Sequence, residues 1–241
     1  MALRHRACRF RSGRLRLSTS QPAGRAAVLI SGGGSNLQSL IDHSTSGDLP
    51  LDIRIVISNR PGVRGLERAQ SADISTLVIE HGAFDSREDF DNALAVCINR
   101  HKVDVIILAG FMRILTADFV QRFAGRILNI HPSLLPAYPG LHTHRRVLQA
   151  GDPVHGCTVH VVTAELDAGP AIIQGRVPVL ADDDEETLAA RVLAVEHQVY
   201  PIAAGLVASG RVVVDGETVT LDGEVLRTPI LFEDGVTNPA I

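Results

Sequence analysis

Short apolar runs recur along the chain, and apolar residues at helical spacing separate them. Five of these runs do not alternate with polar residues, which predicts buried strands at 26–31, 53–58, 75–80, 103–109 and 126–130. Apolar strands that alternate with helices are typical of a parallel sheet covered on both faces. We therefore predict an α/β fold with an open, mostly parallel, twisted sheet of the Rossmann-like kind and helices on both faces.

Helix signals occupy the segments between these strands. The segment Asp85-Ser86-Arg87-Glu88 has the pattern of a capping box with its first residue as N-cap, and Thr116 is a predicted N-cap of the next helix. The acidic cluster at 182–186 suits the N-terminus of a long helix. Pro201 lies inside that helix and should kink it.

The pattern changes late in the chain. Residues 158–163 alternate between polar and apolar, and 171–179 follow a Gly-Pro turn, so a hairpin-like antiparallel extension of the sheet is predicted. Residues 212–226 suggest a small hairpin. We take 26–211 as one domain and 212–241 as a C-terminal hairpin and tail, to which the sequence assigns no role.

The start of the chain has its own composition. Residues 1–25 contain seven arginines and no acidic residue, whereas the rest carries 16 basic and 27 acidic residues. An Arg-rich, Ser-containing, acid-free start is typical of a mitochondrial transit peptide. Because the periodic pattern begins only at Ala26, we favour a disordered basic tail, or upstream codons included by a misplaced start.

Composition argues against several classes of protein. Aromatic residues make up 4%, tryptophan is absent, and residues 26–241 have a net charge of −11, so nucleic-acid binding is not expected. No run of eighteen apolar residues occurs, so no membrane helix is expected. Three distant cysteines without Cys-x-x-Cys spacing fit a reducing compartment, and we predict a cytoplasmic protein.

A glycine loop, Gly32-Gly33-Gly34-Ser35-Asn36, lies between the first predicted strand and its helix. Backbone N–H groups of such a loop and the helix N-terminus can bind a phosphate. The dinucleotide fingerprint requires glycine where Leu37 stands, and the Gly-Lys-Ser/Thr of a Walker A loop is absent. The loop suggests a phosphate monoester rather than NAD or ATP, and the alternative is a tight turn that binds nothing.

The fifth predicted strand runs into Asn129-Ile130-His131-Pro132. Side chains at 129 and 131 share one face of a strand, and sites in parallel sheets lie at the carboxyl ends of strands. Two convergent donors there could bind a developing oxyanion. Asp167, in a later loop, could orient His131 and favour its charged form. The alternative is that Asn129 and His131 only bond backbone and that Asp167 only makes a turn.

Five histidines lie within thirty residues: His131, His142, His144, His155 and His160. A zinc site therefore has to be considered. The spacing offers no H-E-x-x-H context and no nearby cysteine pair, so we expect no metal.

Five motifs follow one another along the chain: ISGGGSNLQ at 30–38, LAGFMRIL at 108–115, LNIHPSLLP at 128–136, YPGLHTH at 138–144 and ELDAGP at 165–170. In this order they resemble the phosphoribosylglycinamide formyltransferases, the folate-dependent GAR transformylase family of purine synthesis. The resemblance covers about residues 26–211. It departs at Gly33, where the family often has a larger polar residue, but the backbone donors are kept.

The resemblance implies transfer of a formyl group from 10-formyl-tetrahydrofolate to the amine of glycinamide ribonucleotide, by a monomer or a homodimer. It implies catalytic roles for Asn129, His131 and Asp167. It places the ribonucleotide phosphate on the backbone of Gly34, Ser35 and Asn36, and the sugar at Glu196. Folate contacts are implied for Arg87, Arg113, Ile114, Leu115 and Asn129.

This chemistry agrees with the candidate residues. Formyl transfer passes through a tetrahedral oxyanion, and the substrate amine is itself the nucleophile. Protonated His131 and Asn129 would stabilise the oxyanion, and water held by Asp167 would carry the proton from the amine to the leaving nitrogen. Neither a metal nor a redox cofactor is expected.

Other functions share parts of this pattern. Methionyl-tRNA formyltransferase normally has a C-terminal RNA-binding barrel and a basic surface, and formyl-tetrahydrofolate deformylase has an additional regulatory domain. The acidic body and the 25 residues before Ala26 argue against both. A catalytically silent folate- or nucleotide-binding protein is a further alternative, against which the intact Asn129, His131 and Asp167 argue.

Overall fold

A computed structural model describes residues 23–47, 49–233 and 236–238 of the chain. The strands are β1 (Gly24–Ile30), β2 (Leu51–Ser58), β3 (Thr76–Val78), β4 (Val105–Leu108), β5 (Ile127–His131), β6 (Val154–Val161), β7 (Ala171–Pro178), β8 (Val212–Asp215), β9 (Thr218–Leu221), β10 (Glu224–Val225), β11 (Ile230–Glu233) and β12 (Val236–Asn238). The helices are α1 (Ser35–Thr45), α2 (Arg64–Ser71), α3 (Arg87–Arg100), α4 (Ala117–Arg122), α5 (Thr143–Ala150) and α6 (Glu185–Ala208).

Nine strands form the main sheet, in the order β12-β11-β7-β6-β5-β4-β1-β2-β3. The strands from β5 through β4, β1 and β2 to β3 are parallel. Strand β6 is antiparallel to both β5 and β7. The predicted mostly parallel sheet with a late antiparallel extension is therefore confirmed.

Both faces of the sheet are buried under helices. In β1, Val28 and Ile30 belong to the apolar cluster that includes residues of α1, α2 and α6, whereas Ala27 and Leu29 belong to the cluster with α3 and α4. All four of these residues are completely inaccessible to solvent. This two-sided burial explains why the strands read as continuous apolar runs in the sequence.

Helix ends agree with the sequence signals in part. The N-cap of α3 is Ser86, whose hydroxyl accepts a hydrogen bond from the Asp89 N–H at 3.0 Å, so the predicted capping box was placed one residue early. Thr116 caps α4 as predicted. Helix α6 continues through Pro201 as one element. Within the described residues, none of the helices combines the length and apolarity of a membrane span.

The segment after residue 211 has two parts. Strands β8, β9 and β10 form a separate three-stranded sheet. Strand β11 instead pairs in parallel with β7, with Ile230 opposite Ile173 and buried. Part of the segment to which the sequence assigned no role thus belongs to the main sheet.

The N-terminal boundary leads to a testable expectation, although most of the basic tail, residues 1–22, lies outside the described residues. Strand β1 begins at Gly24, and the Arg25 guanidinium donates two hydrogen bonds to the Asp104 carboxylate, at 3.0 and 2.8 Å. A chain that begins at Ala23 should keep the melting temperature and turnover of the full chain. A chain that begins at Ala26 should melt at a lower temperature, because it loses these bonds. Equal melting curves for the two truncated chains would contradict this expectation.

Candidate active site

The carboxyl ends of β1, β4 and β5 lie next to one another, at the point where the strand order reverses on either side of β1. Ser31 joins three loops at this edge. Its N–H donates to the carbonyl of Gly110 at 3.2 Å, and its hydroxyl donates to Asn59 Oδ1 at 2.6 Å and accepts from the Met112 N–H at 2.8 Å. Ser31 and Asn59 were not among the predicted site residues, although each is a polar residue at the end of an apolar strand.

Asn129 and His131 lie at the end of β5, and the structure brings His131 and Asp167 together. His131 is 5% exposed. Its Nδ1 lies 3.4 Å from Asp167 Oδ2, and its Nε2 lies 3.0 Å from the carbonyl oxygen of Tyr138. The sequence led us to expect a ring nitrogen free to donate to an oxyanion, but both nitrogens already face oxygen acceptors. The reason is the turn after β5, which folds the Tyr138 carbonyl back onto the ring.

Asp167 is held in a constrained position. Its backbone is left-handed, with φ 52°, a conformation that Asp tolerates better than most residues. Its carboxylate accepts a hydrogen bond from the Gly140 N–H at 2.8 Å and is almost fully buried. The carboxylate oxygen that faces His131 is therefore held by a backbone N–H group, that of Gly140, and not by a flexible side chain.

His160 is a site residue that the sequence analysis left without a role. It is paired with Asn129 across the antiparallel β5–β6 ladder and is 2% exposed. Its Nδ1 faces the carbonyl of Val161 at 3.1 Å, and its Nε2 lies 3.2 Å from the Asn129 amide nitrogen. Burial lowers the pKa of His160, so the ring is neutral, donates from Nδ1 and accepts the Asn129 amide proton at Nε2. This contact fixes which end of the Asn129 amide faces the ring.

The glycine loop enters α1 through a close contact. Gly34 is the N-cap of α1 with φ 70°, and a Cβ at this position would lie 2.8 Å from the Cα of Gly65. Only glycine fits there, because both the dihedral angle and the space exclude a side chain. Among the described residues, the N–H groups of Gly33 and Gly34 have no hydrogen-bond partner. The loop thus has the free donors that an anion requires.

Asn36 and Glu196 meet beside this loop. The Asn36 amide nitrogen donates to Glu196 Oε2 at 2.8 Å, and Glu196 is 7% exposed. Burial raises the pKa of the Glu196 carboxyl, and the bond from Asn36 opposes this. Asn36 Oδ1 is buried without a partner in the described part of the chain. An unpaired acceptor beside a buried carboxyl is a suitable place for ligand hydroxyl groups.

Of the residues implied for folate, Arg87 and the segment 113–115 are in contact, whereas Asn129 lies at the end of β5. Arg87 donates from Nη2 to the carbonyl of Ile114 at 2.7 Å, and the Arg113 guanidinium lies 4.9 Å from the centre of the Phe90 ring. The Ile114 side chain is 64% exposed, whereas Leu115 is buried. Arg87 thus donates to one backbone carbonyl of the segment 113–115, for which the resemblance implies folate contacts.

Two of the clustered histidines form a pair. His144 Nδ1 lies 3.0 Å from His155 Nε2, and the rings meet edge to face. Burial lowers the pKa of His144, and burial with the neighbouring His144 lowers the pKa of His155 to about 4. Within the residues described here, no group of three or more His, Cys, Asp or Glu side chains is arranged to hold a metal ion.

This pair makes folding stability depend on pH. The pKa of His155 is about 4 when folded and about 6.5 when unfolded, so its contribution is fully present above pH 6.5 and declines as the pH falls towards 4. The free energy of unfolding should drop by about 2 kcal/mol between pH 7 and pH 5 because of this residue. Urea unfolding at both pH values checks this. His155→Gln should make the drop smaller by about this amount, and an equal drop in the variant would contradict the assignment.

Comparisons with known proteins agree with this arrangement. The sequence model of the formyl transferase family matches residues 24–204. The chain is 51% identical to phosphoribosylglycinamide formyltransferase of Escherichia coli over 199 residues, which is 83% of this chain and 94% of that protein. It is 48% identical over 200 residues to the trifunctional purine biosynthetic protein adenosine-3 of Drosophila melanogaster, but these cover only 15% of that longer protein.

Solved structures give the same result. A phosphoribosylglycinamide formyltransferase from Coxiella burnetii superposes with a TM-score of 0.84 at 47% identity, covering 88% of this chain and all of that chain. Sequence and fold therefore agree over most of the length, and the chain belongs to the formyl transferase family.

Proposed function

We propose that this protein transfers the formyl group of 10-formyl-tetrahydrofolate to the amine of glycinamide ribonucleotide, in de novo purine synthesis. The observation that carries the proposal is the glycine loop, which presents the unpaired N–H groups of Gly33 and Gly34 at the same edge of the sheet as His131 and Asp167. Formyl transfer to a phosphorylated amine needs both an anion site and an oxyanion site. The names of the E. coli and Coxiella relatives support the same substrate.

In this proposal, each residue near His131 has a separate task. An oxyanion formed at the formyl carbon is a stronger acceptor than a neutral carbonyl, so it competes with Tyr138 for the proton on His131 Nε2. Asn129 donates its second amide proton, since His160 holds the first. Asp167 stabilises the imidazolium and accepts the proton that the amine releases, through water. The leaving nitrogen of the folate takes up that proton, and tetrahydrofolate departs.

The ligand contacts extend this proposal. Gly34, Ser35 and Asn36 bind the phosphate, Glu196 accepts from a sugar hydroxyl, and Arg87 with the segment 113–115 binds the folate. Cytoplasmic location is part of the same proposal, and the free thiols of Cys97 and Cys157 support it.

The experiment follows the absorbance change as formyl-folate becomes tetrahydrofolate, with and without glycinamide ribonucleotide. A signal that depends on the ribonucleotide, with formylated product, is the expected result. Loss of the formyl group without the ribonucleotide would indicate hydrolysis, and would replace the proposal by a deformylase. No reaction in either case, with folate still bound, would indicate a silent binding protein.

A further inference from the structure

Helix α2 packs directly on the glycine loop and contacts two successive carbonyl groups. The N–H of Gly65 donates to the carbonyl of Gly32 at 3.1 Å. The Nε of Arg68 donates to the carbonyl of Gly33 at 2.9 Å. None of the five sequence motifs includes a residue of α2, and no function was predicted for this helix from the sequence.

These contacts determine where the loop N–H groups point. A trans peptide is planar, and its C=O and N–H point in opposite directions. Fixing the carbonyls of Gly32 and Gly33 against α2 therefore turns the N–H groups of Gly33 and Gly34 away from α2. Neither of these N–H groups has a hydrogen-bond partner in the described part of the chain.

Arg68 is itself anchored on its other side. Its Nη1 donates to Gln38 Oε1 at 2.9 Å, and Gln38 Nε2 donates to Asp42 Oδ1 at 2.8 Å. Gln38 and Asp42 lie one turn apart on α1, the helix that the loop begins. The guanidinium of Arg68 is thus held between α1 and α2, and its contact with Gln38 fixes its position together with its contact with Gly33.

We propose that Arg68 is a positioning residue for the ribonucleotide phosphate, acting through the Gly33–Gly34 peptide. Glycine peptides rotate more freely than others, so without this bond the Gly34 N–H is not held towards the phosphate. Arg68 fixes the donor before the ligand arrives. This inference rests on the proposed function for the identity of the ligand, and on the loop contacts for the role.

The test compares Arg68→Gln, Arg68→Lys and Arg64→Gln. Arg68→Gln should raise the KM for glycinamide ribonucleotide about tenfold or more, the loss expected when one backbone residue must be ordered by the ligand. Turnover and the folate KM should stay within about twofold, because no reacting group is touched. Arg68→Lys should recover part of the affinity, since an ammonium can still donate to Gly33. Arg64→Gln removes the same charge from an exposed position on the same helix and should have little effect.

Two further measurements separate positioning from general damage. Glycinamide riboside, which lacks the phosphate, should react equally well with the wild type and with Arg68→Gln. The Kd of inorganic phosphate, measured by calorimetry without turnover, should rise about as much as the ribonucleotide KM. An equal loss with the riboside, or an equal effect of Arg64→Gln, would overturn the inference.

Failure of the inference about Arg68 can be told apart from failure of the proposed function. If the wild type transfers no formyl group to the ribonucleotide, the proposed function fails, while phosphate affinities of the wild type and Arg68→Gln still decide the role of Arg68. If Arg68→Gln does not fold, Arg68→Met and Arg68→Ala decide it, because both also lack the donor to the Gly33 carbonyl. Wild-type phosphate affinity in a folded one of these variants would overturn it.

Discussion

Asp167→Asn is expected to lower turnover by about 100-fold or more, with both KM values changed only modestly. The substitution keeps the volume of the side chain, and an amide oxygen can still accept the Gly140 N–H, so the fold should survive. The negative charge beside His131 is lost, together with the acceptor for the transferred proton. Steady-state kinetics with each substrate varied in turn measures turnover and both KM values.

A matched control is available at Asp73, another aspartate with a left-handed backbone. Asp73→Asn should leave turnover within about twofold of the wild type, because this residue lies outside the proposed site. If Asp167→Asn retains more than about a tenth of wild-type turnover, the loss is smaller than the loss of one acid–base group would cause. Asp167 is then a turn residue, and the assignment of the catalytic group is wrong.

Gly34→Val is expected to have the second largest effect, confined to the ribonucleotide. A Cβ at this position would lie 2.8 Å from the Cα of Gly65, and a β-branched side chain resists a φ of 70°. The loop must shift to relieve the contact, which moves the N–H groups of Gly33 and Gly34. The KM for the ribonucleotide should rise about 100-fold, the cost of losing two hydrogen bonds to a charged group, while the folate KM changes little. Equal effects on the two KM values would mean that the loop holds no phosphate.

Gly33→Ala separates the effect of the left-handed backbone from that of any added side chain. A Cβ at Gly33 would meet no atom within 4 Å, and its backbone is not left-handed. The backbone donors remain in this variant, so the ribonucleotide KM should change by less than about threefold. Circular dichroism of both variants confirms that the comparison is made between folded proteins.

The sequence predicted the sheet well because its strands are apolar on both faces, as Val28 and Leu29 illustrate. It also located Asn129 and His131, since residues two apart on a strand share a face and the strand end was clear. The loop at 32–36 could be identified as the turn from β1 into α1 because a run of glycines follows the apolar strand, and the sequence left open whether it binds a phosphate or nothing.

What the sequence could not predict depends on register and on contacts between distant segments. His160 lies beside Asn129 only because β6 returns antiparallel to β5, and a shift by one residue would turn it to the other face. The contacts of His131 with the Tyr138 carbonyl and of Arg68 with the Gly33 carbonyl each have a backbone group as one partner, and such a partner leaves no pattern in side-chain identity. Asp85 and Ser86 are both good caps, so the start of α3 was ambiguous by one residue.

The position of β11 beside β7 has a consequence for how the chain is made. During synthesis every residue of the proposed site has emerged from the ribosome before β11, residues 230–233. The edge of β7 with which β11 pairs therefore stays open in the nascent protein. An open edge presents unpaired backbone groups to other chains. A chain cut after residue 211 therefore retains the whole proposed site but lacks β11, which pairs with the β7 edge in the full chain. Such a chain is expected to aggregate through the open β7 edge.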